Sequence, residues 1–272
     1  MSLSVDVLIS CVNNNTAIIK KSNLSHNVVV INQTDVINEN VTEYSNNCFF
    51  VNSSTRGLSR SRNIAIEKSK ADICVVSDDD EIFVDNAQYN IAKIYKQHSK
   101  ADIIIFNVKN DNRNSKLKNK FHRLNYFELL RVNSWQITFR REKIVKNNLS
   151  FDEFMGSGTG NGAGEENKFL IDAYKKGLKI YYYPYQIAYV AEGKSQSQWF
   201  KGFNKEFFFQ RGYSTRYMLG FPLSILYAIY YAYSHENMYK DQITRRGALK
   251  YTFAGIRNNK IARMKKVANA NK

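Results

Sequence analysis

Between Arg56 and Glu81 the chain reads RGLSRSRNIAIEKSKADICVVSDDDE, a helix-forming segment feeding a short apolar strand that stops in three consecutive aspartates. Ile73, Cys74, Val75 and Val76 form an unbroken apolar run between polar turns, the pattern of a strand buried on both faces. Strands of that kind occur in sheets covered by helices, which points to the α/β class. Asp78, Asp79 and Asp80 then lie at the C-terminal edge of the strand, where open α/β sheets bind their ligands. Carboxylates gathered at such an edge suit a hard cation with oxygen ligands, although aspartates also end strands and cap helices with no ligand present.

The flanking pattern agrees. Val5 to Cys11 and Val28 to Ile31 read as strands with a helix around Thr16 to Ser22 between them, the start of a nucleotide-binding unit. The loop Val12, Asn13, Asn14 and Asn15 and the segment Asn32, Gln33, Thr34 and Asp35 are then expected to face one crevice. A helix over Leu58 to Lys68 opens with Ser59, Arg60 and Arg62, and cations at a helix start oppose its dipole unless an anion such as a diphosphate faces them. Further elements are expected as a helix over Gln88 to Gln97 and strands over Ile103 to Val108 and Trp135 to Arg140. The polar, basic stretch from Lys109 to Arg123 reads as a loop. Phe151, Asp152 and Glu153 precede a glycine-rich run from Gly156 to Gly164, which delivers Glu165 and Glu166 to a helix start. That run is neither a Walker loop, for want of a closing Gly-Lys-Ser/Thr, nor a dinucleotide fingerprint, since no first strand precedes it.

The order of these blocks (an Arg62-Asn63 helix, an apolar strand, an aspartate cluster, then an Asp-Glu and glycine segment ending in paired acids) resembles glycosyltransferase family 2 over roughly residues 3–195. The resemblance implies an inverting enzyme of GT-A fold: a Rossmann-like nucleotide-binding, mixed α/β sheet flanked by helices. It implies a nucleotide-sugar donor, UDP forms first, held by Val12, Asn13, Asn32, Gln33, Asp35, Arg56, Arg62, Asp78 and Asp79. A Mn²⁺ or Mg²⁺ cofactor would sit on Asp80 and Asp78, with Glu192 in place of the histidine many members carry near the metal. Glu166 is the implied catalytic base with Glu165 supporting it, and Trp135 and Gly164 border the acceptor. The acceptor class is a glycan or polyprenyl-diphosphate-linked glycan of surface polysaccharide synthesis, and the basic stretch before Arg123 would be a lid over it. Family members carry an acid directly after strand two to read uracil; here Asn32 and Gln33 stand there and Asp35 follows later. A nucleotide-sugar binder without turnover, or a nucleotidyltransferase, is the alternative, although the latter carries a Gly-rich Arg/Lys loop after strand one where this chain has Val12 and three asparagines.

From Trp199 onward the chain turns aromatic and basic. Residues 1–195 are therefore expected to form the catalytic domain, and 196–272 a helical extension meeting an anionic membrane surface or a second subunit. Met218 to Tyr233 is apolar but falls short of the ~20 residues of a spanning helix. Tyr239 to Lys272 holds ten Lys and Arg against Asp241 alone, much of a net charge of +16. Nucleic acid is an unfavoured partner: no helix-turn-helix, zinc-finger or RNP pattern is present, and three aspartates at a cleft repel a phosphate backbone. With 43% hydrophobic residues the chain can bury a full core. Cys11, Cys48 and Cys74 are too few and scattered for a disulfide framework, and MSLSVDVLISCV has no basic n-region or long apolar h-region. Those features lead to the expectation of a cytoplasmic protein, peripheral at the inner face of the cell membrane.

Overall fold

The computed structural model describes residues 3–35, 41–44, 47–110, 119–159, 161, 164–191 and 200–270. The chain divides into two compact units, one formed by 1–151 with 166–195 and the other by 152–165 with 196–272. The glycine-rich segment thus groups with the C-terminal helices and not with the strands that precede it.

In the first unit β1 (Val5–Val12), α1 (Ala17–Lys21), β2 (Val28–Gln33), β3 (Val41–Tyr44), β4 (Cys48–Ser53), α2 (Leu58–Lys68), β5 (Ile73–Asp78), β6 (Glu81–Phe83) and α3 (Ala87–Gln97) follow in order. They lead to β7 (Ile103–Lys109), β8 (His122–Arg123), two 3-10 turns (Glu128–Arg131 and Ser134–Gln136), β9 (Ile137–Arg140), α4 (Arg141–Lys146), α5 (Glu165–Lys175) and β10 (Ile180–Val190). Among the described residues the strands form one mixed sheet in the order β3-β4-β2-β1-β5-β9-β7-β10-β6, with β8 also on β10. The segment β4-β2-β1-β5 is parallel, whereas β9 runs antiparallel between β5 and β7. This is the mixed α/β architecture expected from the sequence.

Strand composition explains the sheet. β2 is buried at every position and β5 at all but its last, so both faces need cover. One face is filled by Val7, Ile9, Val28, Val30, Ile73 and Val75. The aromatic end of α3 is fixed by Tyr95, whose hydroxyl lies 2.8 Å from Thr138 Oγ1 and accepts the Ile104 N–H at 3.0 Å. The parallel register sets Val12 opposite Gln33 and Ser10 opposite Asp78, so the C-terminal ends of β2, β1 and β5 open onto one edge. Trp135 departs from its expected strand: it lies in a 3-10 turn, and pairing begins only at Ile137. An Asn133–Gln136 capping box stabilises that turn. Residues 111–118 of the expected lid fall outside the described residues.

The second unit is helical: α6 (Lys205–Leu219), α7 (Phe221–Ser234), α8 (Glu236–Tyr239), α9 (Arg245–Asn258) and α10 (Lys260–Ala270). The apolar run from Met218 to Tyr233 is broken at Gly220, whose φ of +78° suits glycine, and Pro222 opens the next helix. α6 and α9 approach so closely that a Cβ at Gly212 would stand 2.1 Å from the Thr252 carbonyl oxygen, and one at Gly255 2.0 Å from that of Phe209. Part of the aromatic content after Trp199 is spent inside: Phe208, Tyr231 and Tyr239 are buried together, and Arg211 lies 3.8 Å over the Tyr231 ring.

Asp152, at the start of the glycine-rich segment, is fastened to α6 and α10. Its Oδ2 accepts hydrogen bonds from Tyr217 Oη and from Lys265 Nζ at 2.8 Å, and Lys265 also donates to Tyr217 Oη at 3.0 Å. Burial alone would raise the Asp152 carboxyl, but the bonds from Lys265 and Tyr217 outweigh it and hold the group below its ordinary 3.8. A carboxyl depressed on folding adds stability above its unfolded value of about 3.9, and that stability is lost as pH falls through the folded value. Asp152→Asn is therefore expected to cost about 1–3 kcal/mol at pH 7 and to flatten the acid limb of the stability profile. Urea titrations between pH 3 and pH 8 check this, and an unchanged acid limb would discount the clamp.

Candidate active site

The aspartates occupy the turn from β5 to β6, and the structure gives each a different surrounding. Asp78 is locked from two sides: Arg62 donates to its Oδ1 at 2.9 Å and Ser134 Oγ to its Oδ2 at 3.3 Å. Arg62 is only 1% exposed, with its guanidinium 5.4 Å from the centre of the Phe151 ring. It was expected to touch the donor; instead it spends its charge on Asp78 from inside the protein, because the start of α2 is buried against β1 and β2. Its neighbour Asn63 carries the other half of the motif, donating to the Phe151 carbonyl at 2.9 Å and accepting the Phe151 N–H at 2.8 Å. The Arg-Asn pair thus joins the aspartate turn to the start of the Phe-Asp-Glu segment.

Glu81 completes the turn and was not foreseen. Its Oε2 accepts from Ser77 Oγ at 2.6 Å and from the Asp78 N–H at 3.0 Å, and its Oε1 is buried with no hydrogen-bond partner. Burial first, and then the facing carboxylates of Asp78 and Asp80, push its carboxyl well above the ordinary range. A buried acid directly after an Asp run was the signal available in the sequence. Asp79 and Asp80 are half-buried, and the Asp80 carbonyl accepts the Ala191 N–H at 2.7 Å, bringing the end of β10 to the turn. Glu192, the expected third ligand, lies outside the described residues.

No group of three metal-ligating side chains converges among the described residues. Both Asp78 oxygens are engaged within the protein, and Asp79 and Asp80 stand half-buried beside it as the further carboxylates of the turn. One carboxylate supplemented by phosphate oxygens is the ordinary way of holding Mg²⁺, so the site fits a metal that arrives with a diphosphate better than a protein-only cage.

At the ends of β1 and β2 the structure places the expected base-reading residues inside the protein. Asn32 and Gln33 are buried and their amides are already used. Asn32 accepts the Asn14 N–H at 2.8 Å and donates to Asn52 Oδ1 at 2.8 Å, while Gln33 brackets Gly57, accepting its N–H at 3.2 Å and donating to its carbonyl at 3.0 Å. They fix the loops around the strand ends. Val12 and Asn13 are exposed at the end of β1, with Asn13 in the left-handed region at φ +46°. Asp35 and Arg56 form an ion pair beyond β2, where Asp35 is 87% exposed.

Glu166 is half-buried in the first turn of α5, where helix N–H groups favour an acid. Two lines of contact tie this helix start to the aspartates. Asn167 donates to the carbonyls of Leu129 (2.8 Å) and Val132 (3.0 Å), just before the Ser134 that holds Asp78. Phe169 stacks on Phe151 at 4.4 Å, the ring beneath Arg62. Ser134 and Asn167 carried no motif in the sequence. Glu165 belongs to the second unit, is 5% exposed, and folds back so that its Oε2 accepts the Gly164 N–H at 3.2 Å. Gly164 does not line an open acceptor face as expected: it is buried at φ +114°, and a Cβ there would lie 3.2 Å from the Met218 side chain. Trp135 is half-buried and packs on the sheet core.

The family model for glycosyl transferase family 2 matches residues 8–158, which hold the Arg62-Asn63 helix and the aspartate turn. No curated protein matches the chain in sequence. Among solved structures, S. aureus TarS 1-349 in complex with UDP-GlcNAc is similar with a TM-score of 0.62 at 13% identity, over 89% of this chain and 76% of that one. TarS 1-349 in complex with UDP gives 0.56 at 14% identity over the same shares. The longer TarS structure gives 0.55 at 14%, with 44% of its length covered. Likeness at such low identity establishes the fold, and it is the GT-A fold expected from the motifs. With the family model matched over more than half its length, the chain belongs to glycosyltransferase family 2.

Proposed function

We propose that this glycosyltransferase moves a sugar, with inversion, from a UDP-sugar to a hydroxyl of a lipid-linked or other glycan acceptor in surface polysaccharide synthesis, working peripherally at the cytoplasmic face of the membrane. The observation that carries the reading is the aspartate turn at the open sheet edge, with Asp78 fixed from behind by Arg62 and Ser134 and Asp79 and Asp80 half-buried beside it. The donor lies along the ends of β1, β2 and β5. Val12 and Asn13 face the nucleoside, and Asp35 with Arg56 reads the base in place of the buried Asn32 and Gln33. The UDP and UDP-GlcNAc complexes of TarS, on the same fold, support a uridine donor.

Asp80, beside the positioned Asp78, would hold Mn²⁺ or Mg²⁺ against the donor diphosphate, where the metal neutralises the charge gathering on the leaving nucleotide. Glu166 accepts the proton of the acceptor hydroxyl as its oxygen bonds to the anomeric carbon. The bond from that carbon to the diphosphate oxygen breaks on the opposite side, and UDP leaves with the electron pair. One displacement inverts the centre and needs no carboxylate nucleophile. Glu165 braces the glycine-rich segment from within, its Oε2 accepting the Gly164 N–H.

None of the described helices is long and apolar enough to cross a membrane, in keeping with a peripheral location. Calorimetric titration of UDP, other nucleotides and their sugar forms, with and without Mn²⁺, tests the donor assignment. Metal-dependent binding of a UDP species that falls at least tenfold in Asp80→Ala is expected. Failure of every nucleotide to bind would refute it.

A further inference from the structure

The fourteen residues of α7 include no charged side chain. One side of the helix, with Ser224, Ala228, Tyr231 and Ala232, is buried in the second unit. The other side carries Leu223, Leu226, Ile229, Tyr230 and Tyr233, each between 38% and 63% exposed. At 100° per residue, positions 223, 226, 230 and 233 fall on one stripe, so these side chains make a continuous apolar face. A helix that is apolar all round is ordinarily buried all round, and an uncovered face of this kind marks an interaction site. Among the described residues nothing covers it.

Charge decides what does. Segment 196–272 carries fourteen Lys and Arg against three Asp and Glu. Arg216 stands at one end of the stripe, 4.4 Å over the Phe221 ring, and Arg245, paired with Glu236, at the other, 4.4 Å over that of Tyr233. A second copy on the same face would bring two strongly positive surfaces together. An anionic lipid surface instead meets the cations with headgroups and the stripe with acyl chains. Among the described residues the tail helices offer less apolar contact: Ala248 and Ile256 of α9 and Ile261 of α10 are turned inward, with Met264 39% exposed. A helix of fourteen residues is ~21 Å long, less than the ~30 Å hydrocarbon core, and so lies in the interface.

We propose that the outer face of α7 is the insertion surface by which this protein docks on an anionic bilayer, with the basic tail supplying attraction and not insertion. This rests on the peripheral location proposed above and names the element responsible. Flotation of the full chain with phosphatidylglycerol/phosphatidylcholine vesicles and with pure phosphatidylcholine vesicles tests it. Compared are the unaltered chain, the Leu226→Glu/Tyr230→Glu double variant, and Arg246→Glu/Lys250→Glu on the exposed side of α9. Wild type is expected to float with the anionic vesicles, and the α7 variant to lose at least about tenfold in bound fraction. The α9 variant should bind less strongly and lose part of its salt sensitivity. In Leu226→Trp, tryptophan emission should shift to the blue on adding anionic vesicles, which purely electrostatic attachment would not produce. Unchanged UDP binding and melting temperature confirm folding of each variant. An α7 variant that floats like wild type overturns insertion while leaving the peripheral location standing. If wild type itself does not float, both fall. Dimeric elution that Leu226→Glu/Tyr230→Glu converts to monomer would then assign the face to a second copy.

Discussion

Replacing Glu166 with glutamine is expected to lower kcat about 10²–10⁴-fold while leaving donor affinity unchanged. Loss of a positioned base costs that range in rate, because the acceptor hydroxyl must then shed its proton without a partner. Glutamine keeps the size of the side chain, and an acid in the first helical turn is worth only ~0.3–1 kcal/mol, so the fold should survive. Glu165→Gln should behave differently. Its carboxylate is buried against Gly156 and Gly164, and the amide would disturb the fold of the glycine-rich segment more than the chemistry itself. UDP release from the donor, with water as the acceptor where no better one is at hand, measures both variants, and calorimetry measures donor affinity. Should Glu166→Gln retain its rate while Glu165→Gln loses it, the assignment of the base is reversed.

Arg62→Met should be the most destabilising single change at the site, by about 3 kcal/mol or more. Removing one member of a buried ion pair leaves the other charged and uncompensated, which costs more than the pair contributes. Here the burden is heavier, since Asp78 shares its turn with Asp79, Asp80 and the buried Glu81. The contact of the guanidinium with Phe151 is lost as well, and through that ring the stacking on Phe169 of α5 is loosened. Denaturant titration reads the loss. Arg62→Met/Asp78→Asn should regain part of it, since the double change removes the stranded charge. A single variant within 1 kcal/mol of wild type would show that the pair does not hold the turn.

These two residues show how much of the site could be read from order and composition. Glu166 and Arg62 were both singled out by motif; Arg62 lies inside the protein against Asp78, and Glu166 as the base is a proposal. An Arg at a helix start is equally compatible with a ligand outside and a carboxylate inside, and the choice depends on how closely α2 packs on the sheet. The same ambiguity attends amides: Asn32 and Gln33 stand where a nucleoside would be read, but both are buried and engaged by Asn14, Asn52 and Gly57. Ser134 and Asn167 were invisible because their partners lie 56 residues away in one case and 35 and 38 in the other. Glu81 was legible in principle, as an acid placed one residue past the aspartates at the first position of a buried strand.

By itself the sequence determined the mixed α/β class, the helix over Leu58 to Lys68, the aspartates at a strand end and the family. Each of these depends on short-range rules: apolar periodicity, turn residues, and the spacing of motifs along the chain. Only the tertiary structure decided which polar groups remain available to a ligand and which apolar groups remain uncovered. Hydrogen bonds and burial are made between segments far apart in the chain. Asp78 is therefore held by Arg62 and Ser134, Gly164 closed while Glu166 is half-buried, and the outer stripe of α7 bare while the aromatic start of α6 packs inside.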